Sequence, residues 1–146
     1  MTTKQYLNQA NALERRIQLL KIEIEKMREL STSVSVKMDG ERVQTSGDKD
    51  TMANAVATIL EKEDVLAATI VLYEDSKDII RRQIEGMENH MHSDVLYGRY
   101  IVGMTFYQIG LIIGKQHSQT FKIYSKAIDE FEKKYGHLYK KFPKVD

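Results

Sequence analysis

The chain of 146 residues is 42% hydrophobic and 29% charged, and it contains no cysteine. This length fits one domain, or one small domain with an extended element. Without cysteine, disulfide bonds and thiolate metal sites are excluded. Charges are scattered through residues 1–30, and the longest uncharged apolar run is Val65 to Tyr73. We therefore expect no signal peptide and no membrane span, and a soluble protein of the cytoplasm.

The net charge of +1 conceals a gradient along the chain. Residues 1–90 carry 13 Lys and Arg against 16 Asp and Glu, whereas residues 91–146 carry 9 against 5. Between Lys115 and Lys126 there are three lysines and no acid. A basic C-terminal third suits a partner with a phosphate backbone, although many surfaces that bind nothing reach the same charge.

The first segment predicts a long helix with a heptad repeat. Ala10, Ile17 and Ile24 take the a positions, and the d positions hold Tyr6, Leu13, Leu20 and Met27. Isoleucine at a with leucine at d favours a two-stranded parallel coiled coil, but a helix folded against another helix of the same chain fits the spacing equally. In both cases the stripe is an interaction surface. We assign self-association, as a dimer, to Leu13, Ile17, Leu20, Ile24 and Met27.

Residues 31–50 are richer in Ser, Thr, Gly and Asp. Val34, Val36 and Met38 alternate ahead of the pair Asp39-Gly40, a pattern typical of a small β-hairpin with a type I′ turn. A flexible linker fits at least as well, because an isolated hairpin is marginal in water.

A second long helix is expected from Asp50 or Thr51 to about Gly86. Its apolar residues keep a heptad register that Glu63 and Lys77 interrupt. Two long helices with matching registers predict an antiparallel helical hairpin over residues 1–90, with a loop at 31–50. A shorter helix, capped by Ser93 or Asp94, should follow.

Two further helices are expected in quick succession after Gly103, which suits a left-handed helix end. Thr105 can cap the first, Gly110 permits close approach of a neighbouring backbone, and Gly114 ends it. The residues expected to be buried in this helix are Phe106, Ile109 and either Ile112 or Ile113. After a turn at Lys115, Gln116 and His117, Ser118 can cap the second helix or lie in its first turn. This is the plan of a helix-turn-helix.

Rotation by 100° per residue separates the second helix, at about 117–133, into two faces. An arc of roughly 160° is expected to be buried; it holds Thr120, Phe121, Ile123, Tyr124, Ala127, Ile128, Phe131 and Tyr135. The opposite face holds Ser118, Gln119, Lys122, Ser125, Lys126, Asp129 and Lys133. Such amides, hydroxyls and ammonium groups can contact base edges and phosphates in a major groove. They also fit the solvated side of any amphipathic helix.

We predict that this face binds double-stranded DNA. Affinity that is independent of sequence and weakens with salt would come from Lys115, Lys122 and Lys126. Discrimination between bases would come from Gln116, His117, Ser118 and Gln119, and Ser125 completes the predicted DNA-binding set.

Three stretches resemble the ArpU/RinA-type regulators of phages and mobile elements in Gram-positive bacteria. They are "GDKDTMANAVATI" (Gly47–Ile59), "VLYGRYIVGMTFYQIGLIIG" (Val95–Gly114) and "IYSKAIDEF" (Ile123–Phe131). The resemblance implies an N-terminal helical region followed by a domain like the promoter-recognising C-terminal part of sigma factors. It further implies activation of phage late genes in the bacterial cytoplasm. A contact with host RNA polymerase is a further possible partnership.

Several residues of the predicted helix-turn-helix depart from the family pattern. Tyr107-Gln108 stands where an acidic residue is usual, Thr120 replaces a small aliphatic residue, and Gln116 and His117 occupy turn positions where Arg and Ser are common. The resemblance therefore implies a scaffold and no particular base preference.

Other chemistries find little support in the sequence. His90 and His92, beside Glu88, point in different directions on a helix and no second cluster completes a metal site. Phosphate loops, dinucleotide fingerprints and nucleophilic triads are also lacking, so we predict neither an enzyme nor a cofactor.

We therefore expect an all-α protein with a hairpin or coiled coil at 1–90 and a sigma-like helix-turn-helix domain at 91–146, acting as a transcription regulator. The first alternative is a DNA-packaging subunit like the phage small terminase, which would form a ring. The second is an adaptor that has lost DNA contact and binds RNA polymerase or a repressor.

Overall fold

The computed structural model describes the backbone of residues 1–39 and 46–140 and the side chains of residues 1–32 and 50–140. Within these residues the chain is helical and has no strand, which confirms the all-α prediction. The α-helices are α1 (Thr3–Leu7), α2 (Gln9–Asp39), α3 (Ser46–Glu85), α4 (His90–Leu96), α5 (Phe106–Ile113) and α6 (His117–Tyr135). A π-helix at Tyr97–Val102 follows α4, and a short 3-10 helix at Gly136–Leu138 follows α6.

The chain divides into two compact units. The hairpin unit comprises Leu13–Tyr73, and the terminal unit comprises Met1–Ala12 with the described residues from Glu74 onward. Residues 1–12 and 74–90, which the sequence assigned to the hairpin, thus lie in the same unit as α4, α5 and α6.

In the hairpin unit α2 and α3 pack against each other in antiparallel directions. Lys62 forms a salt bridge of 3.1 Å with Glu23, and Arg28 forms one with Glu63. The predicted seam faces inward: Ile17, Leu20 and Ile24 are buried, and Leu13 and Met27 are half-buried. These five residues, assigned above to self-association, therefore lie within a pair of long helices of one chain.

The bounds of the long helices correct three expectations. The predicted strand through Val34, Val36 and Met38 is wrong, because α2 continues to Asp39. No proline or glycine precedes Gly40 in this stretch, so nothing stops a helix that gains one hydrogen bond per added residue. The rest of the predicted turn, at 40–45, lies outside the described residues. Helix α3 starts at Ser46 and not at Asp50 or Thr51. The loop or linker expected at 31–50 is therefore wrong for 31–39 and for 46–50, which are helical.

The core of the terminal unit is built from both ends of the chain. The aromatic ring of Tyr6 stacks on Tyr139 with centroids 4.4 Å apart, and the hydroxyls of Thr3 and Tyr139 lie 2.6 Å apart in a buried hydrogen bond. The buried apolar cluster comprises Leu7, Ile80, Ile84, Met87, Val95, Leu96, Tyr100, Ile101, Ile109, Tyr124, Ala127, Phe131 and Tyr139. Helices α1, α3, α4, α5 and α6 and the π-helix therefore contribute to one core.

Helix α4 starts earlier than its predicted caps. The side chain of Asn89 caps it by accepting a hydrogen bond of 3.1 Å from the backbone N–H of His92. Ser93 lies inside the helix and its hydroxyl donates to the carbonyl oxygen of Ile84 at 2.9 Å. The following π-helix ends at Gly103 with φ of 85°, which confirms the predicted left-handed residue.

Two isoleucines on α5 test this packing. Ile109 is 2% exposed and Ile112 is 73% exposed, so Ile113, which is half-buried, and not Ile112, completes the inner face. We expect Ile109→Ala to lower the free energy of unfolding by about 2–4 kcal/mol, because it leaves a cavity. Ile112→Ala, the matched control, should change it by less than about 1 kcal/mol. Urea denaturation followed by circular dichroism measures both, and equal losses would contradict the assigned faces.

Candidate nucleic-acid interface

Helix α5 begins at a capping box. The hydroxyl of Thr105 accepts from the backbone N–H of Gln108 at 3.2 Å, and the Gln108 side chain accepts from the backbone N–H of Thr105 at 3.0 Å. This reciprocal pair satisfies two amide groups that the helix would otherwise leave unbonded. The predicted cap at Thr105 is confirmed, and the start of α5 is defined by its own side chains.

The turn between α5 and α6 depends on two glycines. Gly114 has φ of 72° and ψ of 35°, a left-handed conformation that ends α5. A Cβ on Gly110 would lie 2.8 Å from the carbonyl oxygen of Lys115 and 2.9 Å from the Thr120 hydroxyl oxygen. The predicted close approach at Gly110 is therefore confirmed, and the approaching backbone is the turn itself.

Thr120 holds the start of α6 against this turn. Its backbone N–H and its hydroxyl both donate to the carbonyl oxygen of Gln116, each at 2.9 Å, and its side chain is fully buried. The helix starts at His117, so Ser118 lies in its first turn and does not cap it. The hydroxyl of Thr120 thus occupies a space in which every polar atom must find a partner.

An aromatic cluster supports the N-terminal half of α6. Phe106 lies edge-on to Phe121 and Tyr124, with ring centroids 5.7 Å and 4.8 Å apart. The guanidinium carbon of Arg99 lies 4.4 Å from the centroid of the Phe106 ring, a cation–π contact, and Arg99 also donates to the carbonyl oxygen of Met104 at 3.2 Å. Arg99 is therefore occupied in joining the π-helix to α5.

Two buried tyrosines connect the π-helix to α6. The hydroxyl oxygens of Tyr100 and Tyr124 lie 2.6 Å apart, and either can donate. Burial raises the pKa of the Tyr100 phenol, and the hydrogen bond to Tyr124 raises it further. The Tyr100 phenol therefore stays neutral near pH 7, and its hydrogen bond with Tyr124 joins the π-helix to α6.

The two faces of α6 agree with the predicted rotation, with one exception. Thr120, Tyr124, Ala127 and Phe131 are buried, and Ile123, Ile128 and Tyr135 are half-buried. Phe121 is 47% exposed, which corrects its assignment to the buried face. It stands at the border of that arc, where the short α5 covers only one side of its ring.

The structure exposes all eight residues predicted to bind DNA. They are Lys115, Gln116, His117, Ser118, Gln119, Lys122, Ser125 and Lys126. Lys115 and Gln116 directly precede α6, and Ser118, Gln119, Lys122, Ser125 and Lys126 lie on its outer face. His117 lies on the other side of the first turn, with its ring centroid 6.5 Å from that of Phe106. From Lys115 to Lys126 this surface has no acid; Asp129 is the first carboxylate along α6.

The sequence did not predict the contacts of three further side chains around α5 and α6. Phe121 exposes an aromatic ring next to Lys122, and the Arg99 guanidinium lies over the Phe106 ring of α5. Lys4 lies with its ammonium nitrogen 5.7 Å from the centroid of the Tyr124 ring, which belongs to the buried face of α6. Of these three features, only the 47% exposure of Phe121 was predictable from the sequence, because Phe121 lies at the border of the buried arc of α6.

The far half of α6 is braced to α4. Nδ1 of His92 lies 2.9 Å from a carboxylate oxygen of Glu130. This contact lines an open hollow of about 310 Å³ with Lys126, Asp129 and Lys133. Among the described residues no group of three or more His, Asp or Glu is placed to hold a metal ion, and no helix combines the length and apolarity needed to span a bilayer.

Comparison with known proteins gives no relative. No protein-family model matches the chain, and neither the curated proteins nor the solved structures contain a significant match.

The contact at Gly110 predicts whether Gly110→Ala stabilises or destabilises the protein. Alanine is favoured over glycine in a helix by about 1 kcal/mol, so propensity alone predicts that Gly110→Ala stabilises the protein. The Cβ would instead meet backbone and a buried hydroxyl below 3.0 Å, and we expect a loss of about 1–3 kcal/mol in the free energy of unfolding.

Leu111→Ala, at the next and exposed position, is the control and should be nearly neutral. Thermal denaturation measures both variants. A higher melting temperature for Gly110→Ala would contradict the proximity of the turn to α5.

Proposed function

We propose that this protein is a sequence-specific DNA-binding transcription regulator whose recognition helix is α6. The observation that carries the proposal is the exposed surface running from Lys115 to Lys126. It presents two amides, two hydroxyls, an imidazole and three ammonium groups, and there is no carboxylate among them. Groups of these kinds contact the phosphates and base edges of a major groove.

The local geometry supports the same proposal. Two short helices, α5 and α6, are joined by a turn that begins with a left-handed glycine, and the inner face of α6 is held by Thr120, Tyr124 and Phe131. A helix fixed along its inner side can present its outer side to DNA without rearrangement, which reduces the entropic cost of binding. The resemblance to the ArpU/RinA-type regulators is a second support for a sigma-like helix-turn-helix and for late-gene activation.

An adaptor that contacts another protein is a second candidate, favoured by exposed apolar residues on α5 and at the end of the π-helix. Tyr107, Leu111 and Ile112 of α5 and Val102 of the π-helix are 61–73% exposed, and the sequence from Tyr100 to Gly114 has no charged residue. An exposed apolar patch of this kind marks protein contacts more often than nucleic-acid contacts.

Lysine substitutions test the DNA contact. For a duplex of mixed sequence, we expect Lys122→Ala and Lys126→Ala each to weaken binding and to lower the slope of log affinity against log salt by about 1, because each removes one phosphate contact. Lys21→Ala, on the exposed side of α2, is the matched control. Fluorescence anisotropy at several salt concentrations gives the slopes. If neither α6 variant changes them, the adaptor is favoured.

Base recognition needs a separate test. Selection of bound fragments from a random DNA pool at two salt concentrations should recover one defined motif. On that motif we expect Gln119→Ala to weaken binding by roughly fivefold to 100-fold, the cost of losing one bidentate base contact. The affinity of the Gln119→Ala variant for mixed-sequence DNA should be unchanged. A selection without a motif would contradict sequence-specific regulation.

A further inference from the structure

Each helix of the hairpin unit carries a second apolar strip in addition to its buried seam. The α2 strip consists of Leu19, Ile22, Lys26 and Leu30, and the α3 strip consists of Leu60, Asp64, Ala67 and Val71. All eight residues are exposed. The leucines, Ile22 and Val71 are 53–67% exposed. Large aliphatic side chains aligned along exposed helices mark an interface.

The two strips face opposite sides of the hairpin. Each residue turns a helix by 100° about its axis, so the angle between a strip and its seam can be calculated. In the direction of increasing residue number, the α2 strip lies roughly 130° behind the α2 seam, and the α3 strip lies roughly 135° ahead of the α3 seam. For antiparallel helices, opposite offsets place the strips on opposite sides. Two strips of one chain therefore cannot cover each other. A two-fold axis parallel to the helices cannot bring the α2 strip of one copy onto the α3 strip of another.

The register within the hairpin shows which residues share a height. Arg28 pairs with Glu63, Ile24 lines the same hollow as Leu66, and Glu23 pairs with Lys62. These pairs place each residue of the α2 strip within about one helical turn of a residue of the α3 strip. Leu19 lies near the height of Val71, Ile22 near Ala67, Lys26 near Asp64, and Leu30 near Leu60.

We propose that a second copy of this chain docks head to tail, with the α2 strip of one copy on the α3 strip of the next. Apolar residues then meet apolar residues at three levels, and Lys26 meets Asp64 at the fourth. A contact that uses two different surfaces leaves one strip free at each end, so further copies can add, in a ring where the rotation between copies closes and in an open chain where it does not. We therefore expect an assembly of three or more copies. This inference does not rest on DNA binding.

The mass of the assembly is the first test. One chain weighs 16.9 kDa, and light scattering after size-exclusion chromatography should give at least three times that value. Leu60→Lys should weaken association by roughly tenfold or more, because it places an ammonium group in an apolar contact. The matched control is Leu72→Lys, which makes the same change on the same helix. Leu60 is 56% and Leu72 57% exposed, but Leu72 lies outside the strip and its variant should assemble normally.

Charge reversal tests the matched register. Lys26→Glu and Asp64→Lys should each weaken association, since each places like charges face to face. The double variant should recover most of the loss, because the pair is restored with its signs exchanged. If the double variant is as weak as the sum of the single variants, these two residues do not meet.

Mixing distinguishes the head-to-tail contact from a symmetric dimer. Leu19→Lys blocks only the α2 strip and Leu60→Lys blocks only the α3 strip, so each variant alone should be monomeric. Mixed together they retain one intact contact and should form pairs of one copy each. Circular dichroism establishes that both remain helical.

A monomeric wild type, a dimer formed by either blocked variant alone, or a mixture without pairs would overturn the proposal. A DNA-packaging subunit would also assemble into several copies, so the random-pool selection, and not the mass, separates that role from regulation.

Discussion

The contact between Gly110 and the turn is the constraint on which the candidate interface depends. With no side chain at Gly110, the carbonyl of Lys115 and the hydroxyl of Thr120 approach the α5 backbone closely enough to exclude a Cβ. The left-handed Gly114 then reverses the chain at once, and Gln116 accepts both hydrogen bonds from Thr120. The first turn of α6 is thereby attached to α5 by backbone and one buried hydroxyl. Its outward side chains remain unused by the fold.

The orientation of α6 is determined further along by residues distant in sequence. Tyr139 follows α6, yet its hydroxyl bonds to Thr3 and its ring stacks on Tyr6. Tyr6 in turn donates to the side chain of Gln83 at 2.8 Å. Phe131 of α6 lies beside both rings, with its centroid 6.1 Å from that of Tyr6 and 6.5 Å from that of Tyr139. Residues far apart in the sequence therefore pack against the inner face of α6.

Local chemistry in the sequence was sufficient to predict the elements around the turn. The cap at Thr105, the left-handed glycines at 103 and 114, and the exposed face of α6 follow from spacing and from the few conformations that glycine alone adopts readily. The heptad stripe likewise predicted a pair of long helices.

What could not be predicted depends on contacts between distant residues or on competition between similar signals. The strand predicted at 34–38 is wrong because alternating valines also fit a helix, and no proline or glycine interrupts α2 before its end at Asp39. The cap of α4 is Asn89, since Ser93 finds a better partner in the carbonyl of Ile84. No local pattern in residues 1–12 indicates that they pack with residues beyond 74. The contacts that Lys4 and Arg99 make could likewise not be predicted from the sequence.

The surfaces of the molecule divide by charge in a way that bears on function. In the terminal unit the outer face of α5 is neutral and apolar, while the neighbouring face of α6 is cationic. In the hairpin unit the outer strips are apolar with one opposite charge each, Lys26 on α2 and Asp64 on α3. The two strips of one copy can pack on the strips of another copy, because they are apolar and their single charges are opposite in sign. A row of lysines without acids instead repels the same row on another copy. A polyanion is the partner that relieves this repulsion. The α6 face is therefore less suited to self-association than the two strips of the hairpin unit, which agrees with the nucleic-acid partner that we propose for it.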